Sequence, residues 1–200
     1  MSFVQFEFKK YNPNKGLIGL LFHCCECAEN IVILWQNNER PMKVIVSNEI
    51  EQICPEFVGA CLEAEVVNTS YNEDLWSEIE ALGQKYRSTL TTESLKELSS
   101  ISATRRVYRA FGKDPSRYRP ASEALIRRVL QGKELYQRDT LVDLVNLASI
   151  AYGYSIGGFD ADKFVGNILT LGIGREGEPY EGIGRGSINI QGLPVYRDSI

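Results

Sequence analysis

The sequence predicts an α+β fold in which mixed β-sheets are flanked by helices, and three observations carry that expectation. Apolar residues alternate with polar ones in the first third of the chain, as they do in strands. From about Asn72 to Tyr152 the period changes to 3.6, with capping residues at the expected places. The last fifty residues return to strand and turn chemistry, so strands bracket a block of helices rather than alternating with them. With 200 residues, 44% hydrophobic and 24% charged, the chain can bury a core without disulfides or a structural metal.

The runs Leu17 to Phe22 and Ile31 to Trp35, set off by turns such as Asn12-Pro13-Asn14-Lys15-Gly16, are expected to form a β-hairpin. Val44-Ile45-Val46 reads as a short buried strand. Val58, Ala60, Leu62, Ala64 and Val66 read as the apolar face of a second one. Leu75, Ile79, Leu82 and Tyr86 share one helical face, and Asn72 or Asp74 caps its start. Thr92 to Leu98 is expected as a short helix. Ser102 to Phe111 is a longer one stopped by Gly112, and Pro120 opens a helix over Ala121 to Gln131 that Gly132 closes. Asp139 or Thr140 caps the next helix, with Thr140-x-x-Asp143 resembling a capping box. Its apolar stripe is Leu141, Leu144, Val145 and Ala148, and Gly153 ends it. Gly157-Gly158 and Gly166 then punctuate, Ile168 to Ile173 is strand-like, and Gly174 to Gly186 is a series of turns.

Residue counts exclude several chemistries. The single histidine, His23, makes most imidazole-dependent enzyme classes a poor fit. Five cysteines, three of them crowded at Cys24, Cys25 and Cys27, do not form a spaced disulfide framework. The Cys24-x-x-Cys27 pair lacks the second pair a zinc site needs, so no metal is expected. Gly172-x-Gly174-x-x-Gly177 matches dinucleotide-binding spacing, but Gly177-Glu178-Pro179-Tyr180 opens no long helix to hold a pyrophosphate. No cofactor is expected. No apolar stretch reaches membrane-spanning length, and a secretory signal pattern is missing, which together predict a cytoplasmic protein with no membrane partner.

The distribution of charge is more informative than its total of −4. Between Ala103 and Arg138 stand ten basic residues against three acidic ones. Arg105, Arg106, Arg109, Lys113, Arg117, Arg119, Arg127 and Arg128 are candidates for one basic face suited to a phosphate backbone. Tyr118, in the loop among them, is a candidate stacking surface for an unpaired base, whereas Tyr108 and Phe111 have the spacing of core residues.

The stretch Phe111-Gly112-Lys113-Asp114-Pro115-Ser116-Arg117-Tyr118-Arg119-Pro120-Ala121-Ser122-Glu123-Ala124-Leu125-Ile126-Arg127-Arg128-Val129-Leu130 resembles stand-alone proteins built on the B3/B4 domain. That domain is the tRNA-binding and editing module of the phenylalanyl-tRNA synthetase β subunit. Asp139-Thr140-Leu141-Val142-Asp143-Leu144-Val145-Asn146, Gly153 and Gly158-Phe159-Asp160-Ala161-Asp162-Lys163 are similar to the synthetase's own version. The resemblance implies an α+β module over residues 42–200, an added N-terminal extension over residues 1–41, and a family pattern that continues past the position of Ile200. It also places a pocket at Asn146, Val145, Gly157 and Gly158. In that pocket the synthetase has a threonine at the position of Val145 and a histidine at that of Gly157, so the pocket is degenerate and only Asn146 is kept. The expected function is binding of tRNA or aminoacyl-tRNA, with no aminoacylating ligase chemistry. Two alternatives accompany it: a trans-acting hydrolase of mischarged aminoacyl-tRNA using other polar groups such as Asp143 or Glu123, and a non-enzymatic module binding a free amino acid or another protein.

Overall fold

The computed structural model describes residues 15–24, 32–34, 42–182 and 186–199. Among the described residues, two larger sheets, a short ribbon and a block of helices enclose four hydrophobic clusters. The first sheet contains β1 (Lys15–Cys24), β2 (Val32–Leu34), β4 (Phe57–Val66) and β5 (Ser155–Asp160) in the order β2-β4-β1-β5. The second contains β3 (Lys43–Val46), β6 (Ile168–Ile173) and β9 (Pro194–Arg197) in the order β3-β6-β9. Glu181–Gly182 and Gly186–Ser187, β7 and β8, make a small separate ribbon.

Strand β1 is antiparallel to β4 on one side and to β5 on the other, while β2 runs parallel to β4. The two N-terminal runs are therefore not a hairpin, because β4 lies between them. The face of β4 also differs from the sequence expectation: Gly59 and Cys61 are buried, whereas Leu62 is 51% exposed. Cys61 packs with Met42 and Leu169, and Phe159, Phe164 and Tyr196 close around this cluster between the two sheets. The Phe159 and Tyr196 rings meet edge-on at 5.9 Å, a favourable quadrupole arrangement.

Two helices start at the side-chain caps the sequence offers, whereas the one expected from Ser102 starts three residues earlier, at Ser99, with no side-chain cap. In α2 (Glu73–Thr89) the Asn72 side chain accepts the Leu75 N–H, and Leu75, Ile79 and Gly83 are buried. A 3-10 turn, Ser94–Glu97, stands where a short helix was expected. Helices α3 (Ser99–Ala110), α4 (Ala121–Leu130) and α5 (Thr140–Tyr152) then close a core of Leu95, Ile101, Ile126, Val129 and Ile150. Complete burial of each of the larger side chains contributes roughly 2 kcal/mol. Asp139, not Thr140, caps α5 by accepting the Val142 N–H, and Gly153 ends it at φ +73°. Asp143 turns inward instead of completing a capping box, taking the Trp76 indole N–H at 2.8 Å. The short helix α1 (Asn48–Ile53) carries no strong periodic signal and was not expected. Helix α3 packs on β1, and α4 and α5 pack on β5, so the helical block rests on the first sheet. Among the described residues no helix is long and apolar enough to cross a membrane.

Candidate nucleic-acid interface

The basic segment begins on α3, whose inward positions are Ile101, Ala103, Thr104, Arg105 and Val107. The helix stops because Gly112 adopts φ +72°, where Lys113 N–H reaches back to the Tyr108 carbonyl and Gly112 N–H to that of Arg109. The chain then turns on Asp114. Its carbonyl accepts the N–H groups of Arg117 and Tyr118, and its carboxylate accepts that of Ser116 at 2.8 Å. Pro120 delivers the chain into α4.

Arg105 lies beneath this loop. Its Nη1 donates to both Glu123 oxygens, at 3.1 and 2.9 Å, and to the Pro115 carbonyl at 3.2 Å, while Nη2 donates to Ser116 Oγ at 3.2 Å. Arg127 Nε binds Glu123 Oε1 from one turn further along α4, at 2.9 Å. Glu123 has no exposed surface, and a buried carboxylate persists only when paired and hydrogen-bonded in this way. Arg105 is thus engaged inside the protein, and Arg127, half-buried, is tied to the same carboxylate. The sequence signal for Arg105 was its place four residues after Ile101, on the inward stripe.

The other candidate basic residues fall at three places. Arg109 stands in the last turn of α3, and Lys113, Arg117 and Arg119 belong to the loop before α4. Lys113 Nζ lies 5.0 Å and Arg117 Cζ 5.5 Å from the centre of the Tyr118 ring, which is half-buried. Arg106 is exposed on α3, 3.5 Å from Glu56. Arg128 stands about 10 Å further along α4 at 1.5 Å per residue. There it covers the exposed Tyr136 ring at 4.2 Å and donates to the Glu134 carbonyl. Phe111 packs with Cys54 and Val107, as its spacing suggested. Tyr108 is withdrawn from solvent, and burial pushes its hydroxyl up to about 12.

The four residues expected to line a pocket belong to α5 and β5. Val145 and Asn146 are half-buried on α5; Gly157 and Gly158 are buried inside β5, paired with Leu20 and Gly19 of β1, rather than marking a turn. A cavity of about 10 Å³, the size of one water, opens elsewhere between the two sheets beside Val44, Cys61, Leu171 and Tyr196. Of the carboxylates considered for hydrolysis, Glu123 is held by two arginines. Asp143 Oδ2 accepts the Trp76 indole N–H and its Oδ1 accepts the Arg138 N–H at 3.2 Å, and burial raises its pKa.

The glycine-rich segment after β6 forms turns and the β7–β8 ribbon. Glu178 accepts Arg197 Nε and Nη2 at 2.5 and 2.6 Å and the Arg175 N–H at 2.7 Å, and among the described residues no helix follows Gly177 to hold a pyrophosphate. The side chains of His23 and Cys24 to Cys27 lie outside the described residues. Among the described residues no cluster of histidine, cysteine or carboxylate groups could hold a metal.

Residues 103–199, from α3 to the end of β9, match the family model described as the B3/4 domain. These residues belong to the B3/4 domain family, that of the phenylalanyl-tRNA synthetase β-chain module. The B3/4 match contains α4, α5, β5 and most of α3, and therefore both the basic loop and the four pocket positions. Strands β1 to β4 precede it. No curated protein and no solved structure matches the chain.

Proposed function

We propose that this B3/4 protein binds tRNA, or the aminoacylated end of one, with the loop between α3 and α4 as its main contact. One observation carries the reading. Arg109, Lys113, Arg117 and Arg119 stand within eleven residues at the end of α3 and in the hydrogen-bonded loop after it, and the loop's one acid, Asp114, is tied into the loop's own turn. Closely spaced cations displace the counterions of a phosphate backbone, and Tyr118 between them offers a ring to an unpaired base. Arg106 and Arg128 extend the surface on either side, while Arg105 and Arg127 support it from below. Asn146, with Val145, Gly157 and Gly158, forms a degenerate aminoacyl pocket: valine and glycine supply no group to hold a hydrolytic water or stabilise an oxyanion. The function belongs in the cytoplasm, where tRNA is charged.

The test is filter binding of purified protein to bulk tRNA over a salt series. The logarithm of affinity is expected to fall linearly with that of salt, and Arg117→Gln or Arg119→Gln each to lower the slope by about one. Absent or salt-independent binding overturns the proposal. A thermal shift with free aromatic amino acids and none with tRNA would move the function to amino-acid binding.

A further inference from the structure

We infer that Arg105 is the positioning residue of this interface, holding the basic loop in the shape that meets RNA without touching RNA itself. The inference rests on the tRNA reading above. Arg105 keeps only 10% of its side chain exposed, so it is withdrawn from any phosphate at the surface. Its guanidinium joins three parts of the chain: α3, which carries it; α4, through Glu123; and the loop, through the Pro115 carbonyl and the Ser116 hydroxyl. Within the loop, the N–H groups of Arg117 and Tyr118 donate to the Asp114 carbonyl and that of Ser116 to the Asp114 carboxylate, bonds that fix its curvature, while the Lys113 N–H ties its first residue to the Tyr108 carbonyl of α3.

A second support lies on the other side. Gly192 turns at φ +69° before β9, and a Cβ there would fall 2.7 Å from Lys113 Cε, so the lysine stem lies directly against that turn. The loop is held between a buried ion pair and a glycine turn. A loop arranged in advance binds more tightly than one that must be ordered on contact, although both make the same phosphate contacts. Positioning and contact therefore differ in one readout, the salt slope, which counts phosphates neutralised and not the order of the loop.

The experiment measures tRNA affinity over a salt series for wild type, Arg105→Met and Ser116→Ala, with amide exchange of residues 114–118. Arg105→Met is expected to weaken binding tenfold or more with an unchanged slope and to speed exchange at Arg117 and Tyr118. Ser116→Ala alters an exposed residue and removes one bond, so it serves if the arginine variant does not fold. It is expected to weaken binding two- to threefold, again with the slope unchanged. Unchanged affinity in the folded variants overturns the inference while leaving the tRNA reading in place. A slope lower by about one in Arg105→Met overturns it too, by making Arg105 a phosphate contact. A wild type without salt-dependent binding removes the tRNA reading and this inference together.

Discussion

Arg105 and Arg197 each grip a glutamate and a main-chain carbonyl, yet Glu123 is wholly buried between two helices whereas Glu178 keeps 21% of its side chain in water. The first pair supports the basic loop inside the B3/4 segment, and the second ties the glycine-rich turn to β9. The same chemistry acts at two depths, and depth decides what happens when one partner is lost. A buried arginine without its carboxylate is stranded, while one near the surface recruits water. Gly172 belongs to the shallower site: a Cβ there would fall 2.7 Å from Arg197 Nη1, so the bare strand makes room for the guanidinium.

The comparison can be broken most directly with alanine. Glu123→Ala is expected to lower stability by about 3 to 5 kcal/mol in urea titration, since two arginines lose their common acceptor. Asp143→Ala leaves the Trp76 indole and the Arg138 amide without an acceptor and is expected to cost about 2 kcal/mol, with a shift in tryptophan emission. Glu178→Ala is expected to cost about 1 kcal/mol, because solvent reaches Arg197. Equal losses for Glu123→Ala and Glu178→Ala would show that depth does not distinguish the clamps.

The smallest effect is in acid. The hydrogen bond from Arg197 lowers the Glu178 pKa below its ordinary 4.5, so its stabilisation is present above pH 4.5 and is lost as pH falls through the folded value. Burial raises Asp143 above 3.8, so its contribution has the opposite sign: it favours folding most below pH 3.8 and weakens as pH rises through the folded value. Glu178→Gln is therefore expected to lose less stability than wild type between pH 5 and pH 3. A steeper loss in the variant would reverse the assignment.

The helical half was largely legible in the sequence because its signals are local. Asn72, Gly112, Asp139 and Gly153 each act within one turn of the residue they cap, and all four act as expected. The sheets were less legible. Gly157 and Gly158 read as punctuation, yet both sit inside a strand beside β1, a pairing no local pattern contains. The basic stretch was visible as composition, but its division among α3, the loop and the far end of α4, and the inward turn of Arg105, depend on the packing of α3 against α4 and on where Glu123 lies in space. A charge count cannot separate an arginine facing water from one facing a carboxylate.

Strand β1 has a consequence for how the chain is made. It is paired on both sides, and Leu17 on it lies opposite Asp160 of β5. At roughly 5 to 20 residues per second, translation supplies β5 some seven to thirty seconds after β1 has been made. During that interval β1 can pair with β4 but leaves its other edge open. The protein is thus expected to be most prone to aggregation as a nascent chain, and a chaperone acting on that open edge would raise the yield of folded protein more than one acting on the finished molecule.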